Sequence, residues 1–271
     1  MFDEGLVNRM GAVILTYHSL DDGGSVLSVS PRVFAAHMRL LHQMGISVVP
    51  LAEIGRLLND GTSAGNLVAI TFDDGYRNVF DAGFSVLRLY GFPATVFLVS
   101  DHCGKTATWP RQPTPMRSLP LLSWREVREM SAAGITFGSH TRTHPDLTRL
   151  PTSVVEEEMV ASKQMIEDAT GLPVLLFAYP YGAYDARAQT LASTHFRMAC
   201  STRLGFVRPE SDPFALERID VYYVRAPLFF RRLFSPEIGT YIRMRRKIRD
   251  LRGRLAAVTT GAQGANEHPA V

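Results

Sequence analysis

The chain has 271 residues, of which 46% are hydrophobic, so it is long enough to bury a full core. Its net charge of +3 is unevenly distributed, because residues 229–255 hold nine Lys or Arg and two acidic residues. The remainder is mildly acidic and carries no nucleic-acid-binding motif, which argues against a nucleic-acid-binding protein.

These proportions predict one domain, residues 1–228, followed by a basic segment, residues 229–271. The hydrophobic run that ends at Tyr17 is too short for a signal peptide or a membrane span, and no later run is long enough. Cys103 and Cys200 form neither a metal-binding spacing nor a disulfide framework. We therefore expect a cytoplasmic protein, peripheral to the membrane if the basic segment binds there.

Short apolar runs alternate with segments of helical periodicity along most of the chain. The apolar runs predict buried strands at residues 12–17, 46–49, 66–72, 94–99, 135–139, 174–179 and 197–200. The periodic segments predict helices at residues 32–45, 78–91, 123–134 and 153–171, each ending on a glycine suited to a C-cap. This alternation predicts an α/β fold with a parallel sheet, either a barrel or an open doubly wound sheet.

The segment 105–120 interrupts this alternation. It is rich in proline and has no periodicity, so it predicts a surface loop between the fourth strand and the next helix. Its Trp109 has two interpretations, a sugar-stacking surface or packing beneath the loop, and packing is favoured.

Polar residues collect where the predicted strands end, which is where both architectures place an active site. His18 follows the first strand, Asp73 and Asp74 follow the third, and His140 and His144 follow the fifth. Two adjacent carboxylates in a partly dry site repel each other, so one must be neutralised by a proton, an arginine or a metal ion. One carboxylate and two imidazoles would make a three-ligand metal site with positions left for water and substrate.

Three motifs carry a resemblance to a known family. TFDDGYRN, GSHTRTHPDLT and FAYPYGAYD, in this order, resemble the polysaccharide deacetylases, also called the NodB-homology family or carbohydrate esterase family four. The resemblance extends from about Gly11 to about Tyr223. It implies a distorted (β/α)7 barrel of the NodB-homology type and metal-dependent hydrolysis of N-acetyl, or O-acetyl, groups on sugars.

The resemblance also implies a role for each motif residue. Asp74, His140 and His144 would hold a divalent metal, usually zinc. Asp73 would be the general base, and the backbone N–H of Tyr181 would stabilise the oxyanion. The chemistry agrees, because a divalent ion polarises a carbonyl and acidifies water while a neighbouring carboxylate removes the proton.

The third motif departs from the family pattern. Many members carry Arg-x-Pro-Tyr, whose arginine orients the catalytic aspartate, and this chain has Ala178 at that position. Arg218, in the strand-like segment LERIDVYY, is the candidate replacement. The alternative is an ordinary surface arginine.

The general acid is the second departure. Many members place it on a histidine in a late Leu-x-His motif, which is missing after residue 200, and His268 lies in a polar tail predicted to be disordered. The first and last strands of a closed barrel are neighbours, so His18 would reach the same place by a circularly permuted route. The alternative is a capping or supporting histidine.

The basic segment mixes its cations with large apolar residues. This composition is typical of an interfacial helix on an anionic membrane. The alternatives are an acidic polymer partner, or a final helix that packs on the barrel and exposes a cationic face. Packing is favoured, with the membrane surface second.

Together these features predict a metal-dependent deacetylase acting on an N-acetylated polysaccharide, oligosaccharide or lipid-linked sugar, in exopolysaccharide or cell-envelope metabolism. The alternative is a catalytically weak or inactive deacetylase-like domain that binds glycan in a polysaccharide biosynthesis or export complex. Ala178 and the missing late histidine motivate that alternative.

Overall fold

In the computed structural model, which describes residues 11–61, 65–116 and 119–263, eight parallel strands form one sheet. They are Val13–Tyr17 (β1), Ser47–Val48 (β2), Leu67–Phe72 (β3), Thr95–Leu98 (β4), Thr136–Ser139 (β5), Leu176–Ala178 (β6), Met198–Leu204 (β7) and Leu216–Asp220 (β8). Each of the seven predicted apolar runs overlaps one of β1 to β7. The additional strand, β8, is the strand-like segment that contains Arg218.

Seven of these strands close into a barrel in the order β1-β8-β7-β6-β5-β4-β3, and β3 pairs with β1 from Val13↔Val68 to Tyr17↔Phe72. The predicted (β/α)7 barrel is therefore confirmed. The seven strands of the ring are not the seven predicted ones. The predicted strand β2 pairs with the start of β3 outside the ring, and β8 takes its place as the seventh strand. A register shift between Cys200 and Leu204 distorts the pairing of β7 with β8.

Helices surround the ring. In the described chain they are Pro31–Gln43 (α1), Leu51–Asn59 (α2), Phe84–Tyr90 (α3), Trp124–Ala132 (α4), Thr152–Thr170 (α5), Ala186–His195 (α6), Pro227–Phe230 (α7) and Pro236–Gln263 (α8). The four predicted C-cap glycines, Gly45, Gly91, Gly134 and Gly171, all have φ between 64° and 90°, as a left-handed cap requires. Both α2 and α6 lie outside the four segments whose periodicity predicts a helix.

Alternation along the strands divides the apolar residues between two clusters. In β1, Val13 and Leu15 belong to the larger cluster, which also contains the buried residues of the surrounding helices. Ile14 belongs to a smaller cluster with Ala69 and Phe97 from other strands and with residues of α2. The smaller cluster fills the barrel interior, so polar residues meet at the carboxyl ends of the strands.

The final helices pack against the barrel. Their inward apolar side chains, Phe230, Leu233, Phe234, Ile238 and Ile242, are buried in the larger cluster. Packing is therefore confirmed for residues 230–242 of the basic segment, while the boundary between residues 228 and 229 stays a prediction. His268 lies outside the described residues. Among the helices described, none combines the length and apolar character needed to cross a membrane.

His37 joins the last part of the chain to α1. Its ring is fully buried and stacks on Phe230, with 3.8 Å between ring centroids. The imidazole Nε2 lies 2.9 Å from the carbonyl oxygen of Arg225, and Nδ1 lies 3.0 Å from the hydroxyl of Tyr17. Because Nε2–H must donate to the carbonyl, Nδ1 accepts from the tyrosine. Burial lowers the pKa of His37 to about 4, although the hydrogen bond to Arg225 acts in the opposite direction.

This buried histidine predicts a pH dependence of stability. Between pH about 6.5 and about 4, His37 binds a proton in the unfolded chain but not in the folded one, so the free energy of unfolding should decrease as the pH is lowered through this window. At about 1.4 kcal/mol for each pKa unit, the loss is at most about 3 kcal/mol. Chemical denaturation at several pH values measures it.

The variant His37→Gln should show a smaller pH dependence in this window, because it has no group there to titrate. His42→Gln, an exposed position on the same helix, should behave like the wild type. An unchanged pH dependence in His37→Gln would contradict the assignment.

Candidate active site

The closed ring brings all seven predicted site residues to one end of the barrel. They are His18 after β1, Asp73 and Asp74 after β3, His140 and His144 after β5, Tyr181 after β6, and Arg218 within β8. Parallel strands make this convergence possible, because their carboxyl ends meet at the same rim.

Asp74, His140 and His144 form a buried cluster. Oδ1 of Asp74 lies 3.5 Å from Nε2 of His140 and 3.4 Å from Nε2 of His144. Each of the three residues is at most 4% exposed. Burial opposes ionisation of Asp74, yet hydrogen bonding to the two histidines holds the pKa of its carboxyl well below the usual range.

The donor atoms of this cluster fit a divalent metal ion. One ligand atom from each residue lies within 4.8 Å of the others. His140 Nδ1 lies 2.7 Å from the carbonyl oxygen of Ala178 and donates to it, so in the neutral imidazole the Nε2 lone pair would be free to bind an ion beside Asp74. A lone pair and a carboxylate that face each other are stabilised by a cation between them. His144 Nδ1 is buried without a hydrogen-bond partner among the described residues.

Arg218 binds Asp73 through both of its terminal nitrogens. Nη1 lies 2.7 Å from Oδ1 and Nη2 lies 2.6 Å from Oδ2, which is the two-point geometry of a strong arginine–carboxylate pair. Nε donates to the carbonyl oxygen of Ser201 at 2.9 Å. Burial alone would raise the pKa of Asp73, but the charge and hydrogen bonds of Arg218 hold it below the usual value.

The interpretation of Arg218 as a surface arginine is wrong, because only 1% of the residue is exposed. It reaches Asp73 from β8, whereas the position of the usual family arginine, Ala178, lies on β6. The cation that faces Asp73 therefore comes from a different strand. Its role in turnover stays a prediction.

His18 lies beside this ion pair. Its Nε2 is 4.0 Å from Oδ2 of Asp73, and 16% of its side chain is exposed. The neighbouring strands are β1 and β8, paired at Leu15↔Ile219, so the expected contact of first and last strands is confirmed. The position suits a proton donor, and that role also stays a prediction.

Asp220 was not indicated by the motifs, although it directly follows the apolar residues of β8. Its carboxylate accepts a hydrogen bond from the backbone N–H of Tyr222 at 2.9 Å. Burial raises the pKa of Asp220, while the charges of His18 and Arg249 oppose that rise. The sequence feature that could have indicated Asp220 is its position as an acidic residue at the carboxyl end of a strand with alternating apolar residues.

The segment 105–120 folds over the rim. Trp109 is 3% exposed and stacks on His144 with ring centroids 4.8 Å apart, so packing beneath the loop is confirmed for this residue. The hydroxyl of Tyr181 donates to the carbonyl oxygen of Pro110 at 2.6 Å, and the guanidinium of Arg111 lies 5.1 Å from the Tyr181 ring centroid. The segment does connect β4 to α4 as predicted, but the expectation that it lies on the surface was wrong in part, because Ala107, Trp109 and Met116 are buried.

Backbone conformation is unusual at this rim. Asp74, Thr141, His144 and Tyr181 have φ between 59° and 71°, a left-handed conformation that costs a non-glycine residue about 1 kcal/mol or more. The next residue, Gly182, sits against β7, where an added Cβ would lie 2.0 Å from Oγ1 of Thr202. The turn that holds Tyr181 is therefore tightly fixed against the barrel.

Comparison with known proteins identifies the family. The family model described as Polysaccharide deacetylase matches residues 60–199. This chain belongs to the polysaccharide deacetylase family. The polysaccharide deacetylases are carbohydrate-directed hydrolases, and the three motifs place the chain in their NodB-homology type.

Two relatives and one solved structure illustrate the similarity. YxkH of Bacillus subtilis (strain 168), which carries the family's name, is 30% identical over 210 residues, covering 77% of this chain and 70% of YxkH. The poly-β-1,6-N-acetyl-D-glucosamine N-deacetylase of Staphylococcus epidermidis is 25% identical over 202 residues, covering 71% of this chain and 67% of that protein. The structure of Streptococcus pyogenes deacetylase PplD in complex with acetate has the same fold, with a TM-score of 0.71 at 21% identity, covering 84% and 98%.

The buried pair of this polysaccharide deacetylase predicts a large effect on stability. Arg218→Met leaves the Asp73 carboxylate buried without its counter-charge, so we expect the free energy of unfolding to fall by about 3–5 kcal/mol. Adding Asp73→Asn should recover part of the loss, because the uncompensated charge is then gone. Chemical denaturation of the two single variants and the double variant measures the coupling.

Arg56→Met is a matched control. Arg56 also makes a two-point contact with a carboxylate, that of Glu53 at 2.7 and 3.0 Å, but its side chain is 58% exposed. Removing an exposed pair should change stability little. Equal losses in the two arginine variants would show that burial of the Asp73 pair has no special weight.

Proposed function

We propose that this protein is a metal-dependent N-deacetylase of an N-acetylglucosamine-containing glycan in exopolysaccharide or cell-envelope metabolism. The observation that carries the proposal is the buried two-point contact of Arg218 with Asp73, directly beside the Asp74–His140–His144 cluster. Relatives named as poly-β-1,6-N-acetyl-D-glucosamine N-deacetylases support the choice of substrate.

In this proposal the cluster holds a divalent ion, and zinc is the expected metal because two imidazoles and one carboxylate suit it. When bound, such an ion supplies a Lewis acid that polarises the acetyl carbonyl and makes a nearby water molecule more acidic. Asp74 is committed to the cluster through Oδ1. Asp73 remains outside it.

Asp73 would accept the proton of the attacking water. Its two oxygens each accept one hydrogen bond from Arg218, which leaves a lone pair on each oxygen for a further proton. Because the pKa of Asp73 is below its usual value, the carboxylate is ionised at neutral pH and ready to accept. Arg218 therefore both orients the base and keeps it unprotonated.

The developing oxyanion would be stabilised by the backbone N–H of Tyr181. Two contacts fix the turn that carries it, the hydroxyl of Tyr181 on Pro110 and the close approach of Gly182 to Thr202. A donor held before the reaction begins stabilises charge without reorganisation. His18 follows β1, the strand that pairs with β3, and lies beside Asp73. It would protonate the leaving amine.

Variants of the two aspartates should differ in metal content. We expect Asp73→Asn to lower turnover by about 10²-fold or more while keeping the metal, because only the base is lost. Asp74→Asn should lose both metal and turnover, because it removes the charged ligand. Elemental analysis of the purified protein, paired with acetate release from N-acetylglucosamine oligomers, separates the two.

Loss of metal in Asp73→Asn would reassign that residue as a ligand. A wild-type protein that binds metal but releases no acetate from any acetylated glycan would support the alternative, an inactive glycan-binding domain. That alternative was motivated by Ala178 and by the missing late histidine. Arg218 and His18 now offer a candidate for each missing group.

The proposed acid makes a separate prediction. His18→Gln should lower turnover by about 10²-fold while metal content stays equal to that of the wild type. His42→Gln, on the outer surface of α1, should change neither quantity. Reduced metal content in His18→Gln would instead make His18 a ligand.

A further inference from the structure

Large apolar side chains are exposed on the last two helices and in the turn Val221–Tyr223 that precedes them. Of the ten exposed large hydrophobic residues in the described chain, five lie between residues 222 and 251. They are Tyr222, Leu228, Phe229, Met244 and Leu251, between 36% and 65% exposed. We call this set the α7–α8 face. Its concentration in one short part of the chain separates it from scattered surface hydrophobics, which are ordinary.

Ring contacts join the two helices within this face. The Phe229 and Tyr241 ring centroids are 5.5 Å apart, which connects α7 to the first turns of α8. The Tyr222 ring lies 5.5 Å from that of Tyr223, and the guanidinium of Arg245 lies 4.9 Å from the Tyr223 ring centroid. Through these contacts, Phe229 and Tyr222 each lie next to side chains that belong to or contact α8.

The inner side of the same helices is already occupied. Phe230 and Ile242 are buried in the larger apolar cluster, so the barrel holds the helices in place. Along α8 the exposed residues Thr240, Arg243, Met244, Lys247 and Leu251 recur at helical spacing on the opposite side. Packing on the barrel thus accounts for the inner side chains and leaves the outer ones without a role.

Exposed cations lie among the exposed apolar residues along the same part of the chain. They are Arg225, Arg231, Arg232, Arg243 and Lys247. Between Val221 and Leu251 the acidic residues are Glu237 and Asp250, so the segment is strongly positive. An anionic surface would complement this charge.

We propose that the α7–α8 face docks on a membrane that contains anionic lipids. Leu228, Phe229 and Met244 would enter the boundary between headgroups and acyl chains, while the surrounding cations meet lipid phosphates. A soluble acidic polymer would use the cations but would have no need of exposed leucine, phenylalanine and methionine. The combination of both residue classes on one rigid surface is what favours the bilayer.

The same helix reaches the catalytic rim. Arg249 of α8 donates to the carbonyl oxygen and to Oγ1 of Thr202, the residue that packs against Gly182. Docking would therefore hold the rim beside the membrane surface. This consequence rests on the proposed function, whereas the docking itself does not.

Co-sedimentation of the full chain with vesicles tests the proposal. We expect binding at low salt to vesicles of phosphatidylglycerol and phosphatidylcholine, and weak binding to phosphatidylcholine alone. We expect two double variants to bind less well, each with a vesicle–water partition coefficient lowered by about tenfold or more. They are Leu228→Ser with Phe229→Ser, and Arg243→Glu with Lys247→Glu. Raised salt should weaken binding of the wild type.

Matched controls lie elsewhere on the barrel. Leu89→Ser removes a 75% exposed leucine from α3, and Arg125→Glu with Arg128→Glu reverses two exposed cations on α4. Neither control should change vesicle binding. Circular dichroism and acetate release from soluble oligomers should be unchanged in every variant, so a failure of docking is distinguishable from a failure of the proposed activity.

Three outcomes would overturn the proposal. One is that the wild type fails to bind anionic vesicles at low salt. Another is that the α4 control lowers binding as much as the α8 charge variant, which would indicate attraction by overall charge. The third is that the charge variant loses binding while the Leu228 and Phe229 variant keeps it, which would indicate an acidic-polymer surface.

Discussion

Two neighbouring carboxylates at the dry end of a barrel each need an opposite charge or a set of donors, and this requirement organises the site. Asp73 receives the guanidinium of Arg218. Asp74 receives the imidazoles of His140 and His144, and their arrangement suits a cation shared by all three. Because the two solutions differ, the two aspartates differ in chemistry even though they are adjacent in sequence. One is committed to ligands, and the other keeps lone pairs for a proton.

The barrel makes these solutions available by bringing distant parts of the chain to one rim. The histidines come from β5, the arginine from β8 and the aspartates from β3, and only ring closure places all three together. The segment 105–120 then covers the rim through Trp109 and Pro110. The left-handed backbone conformations of Asp74, His144 and Tyr181 persist because contacts with the surrounding residues hold these positions.

Much of this arrangement could be predicted from local patterns, since apolar runs and cap glycines mark strands and helix ends directly. The candidate metal site could also be predicted, because Asp74, His140 and His144 lie in short motifs immediately after strands. That β8 is a strand of the ring was harder to predict, because the buried Arg218 interrupts its apolar pattern. The reason for a buried arginine at this position is its ion pair with Asp73, which comes from another strand. Asp220 has no motif, and the position of Trp109 depends on a long loop whose path is set by tertiary contacts.

The origin of Arg218 has a consequence for how the site is assembled. The arginine belongs to the strand that completes the ring, and it lies beyond the residues 60–199 that match the family model. Before β8 docks on the barrel, the carboxylate of Asp73 would lack the positive charge that accompanies its burial. Closing the barrel and creating the charged pair are therefore a single event. Any chain shortened before this strand would retain every recognisable motif of its family and still lack the cation that faces Asp73.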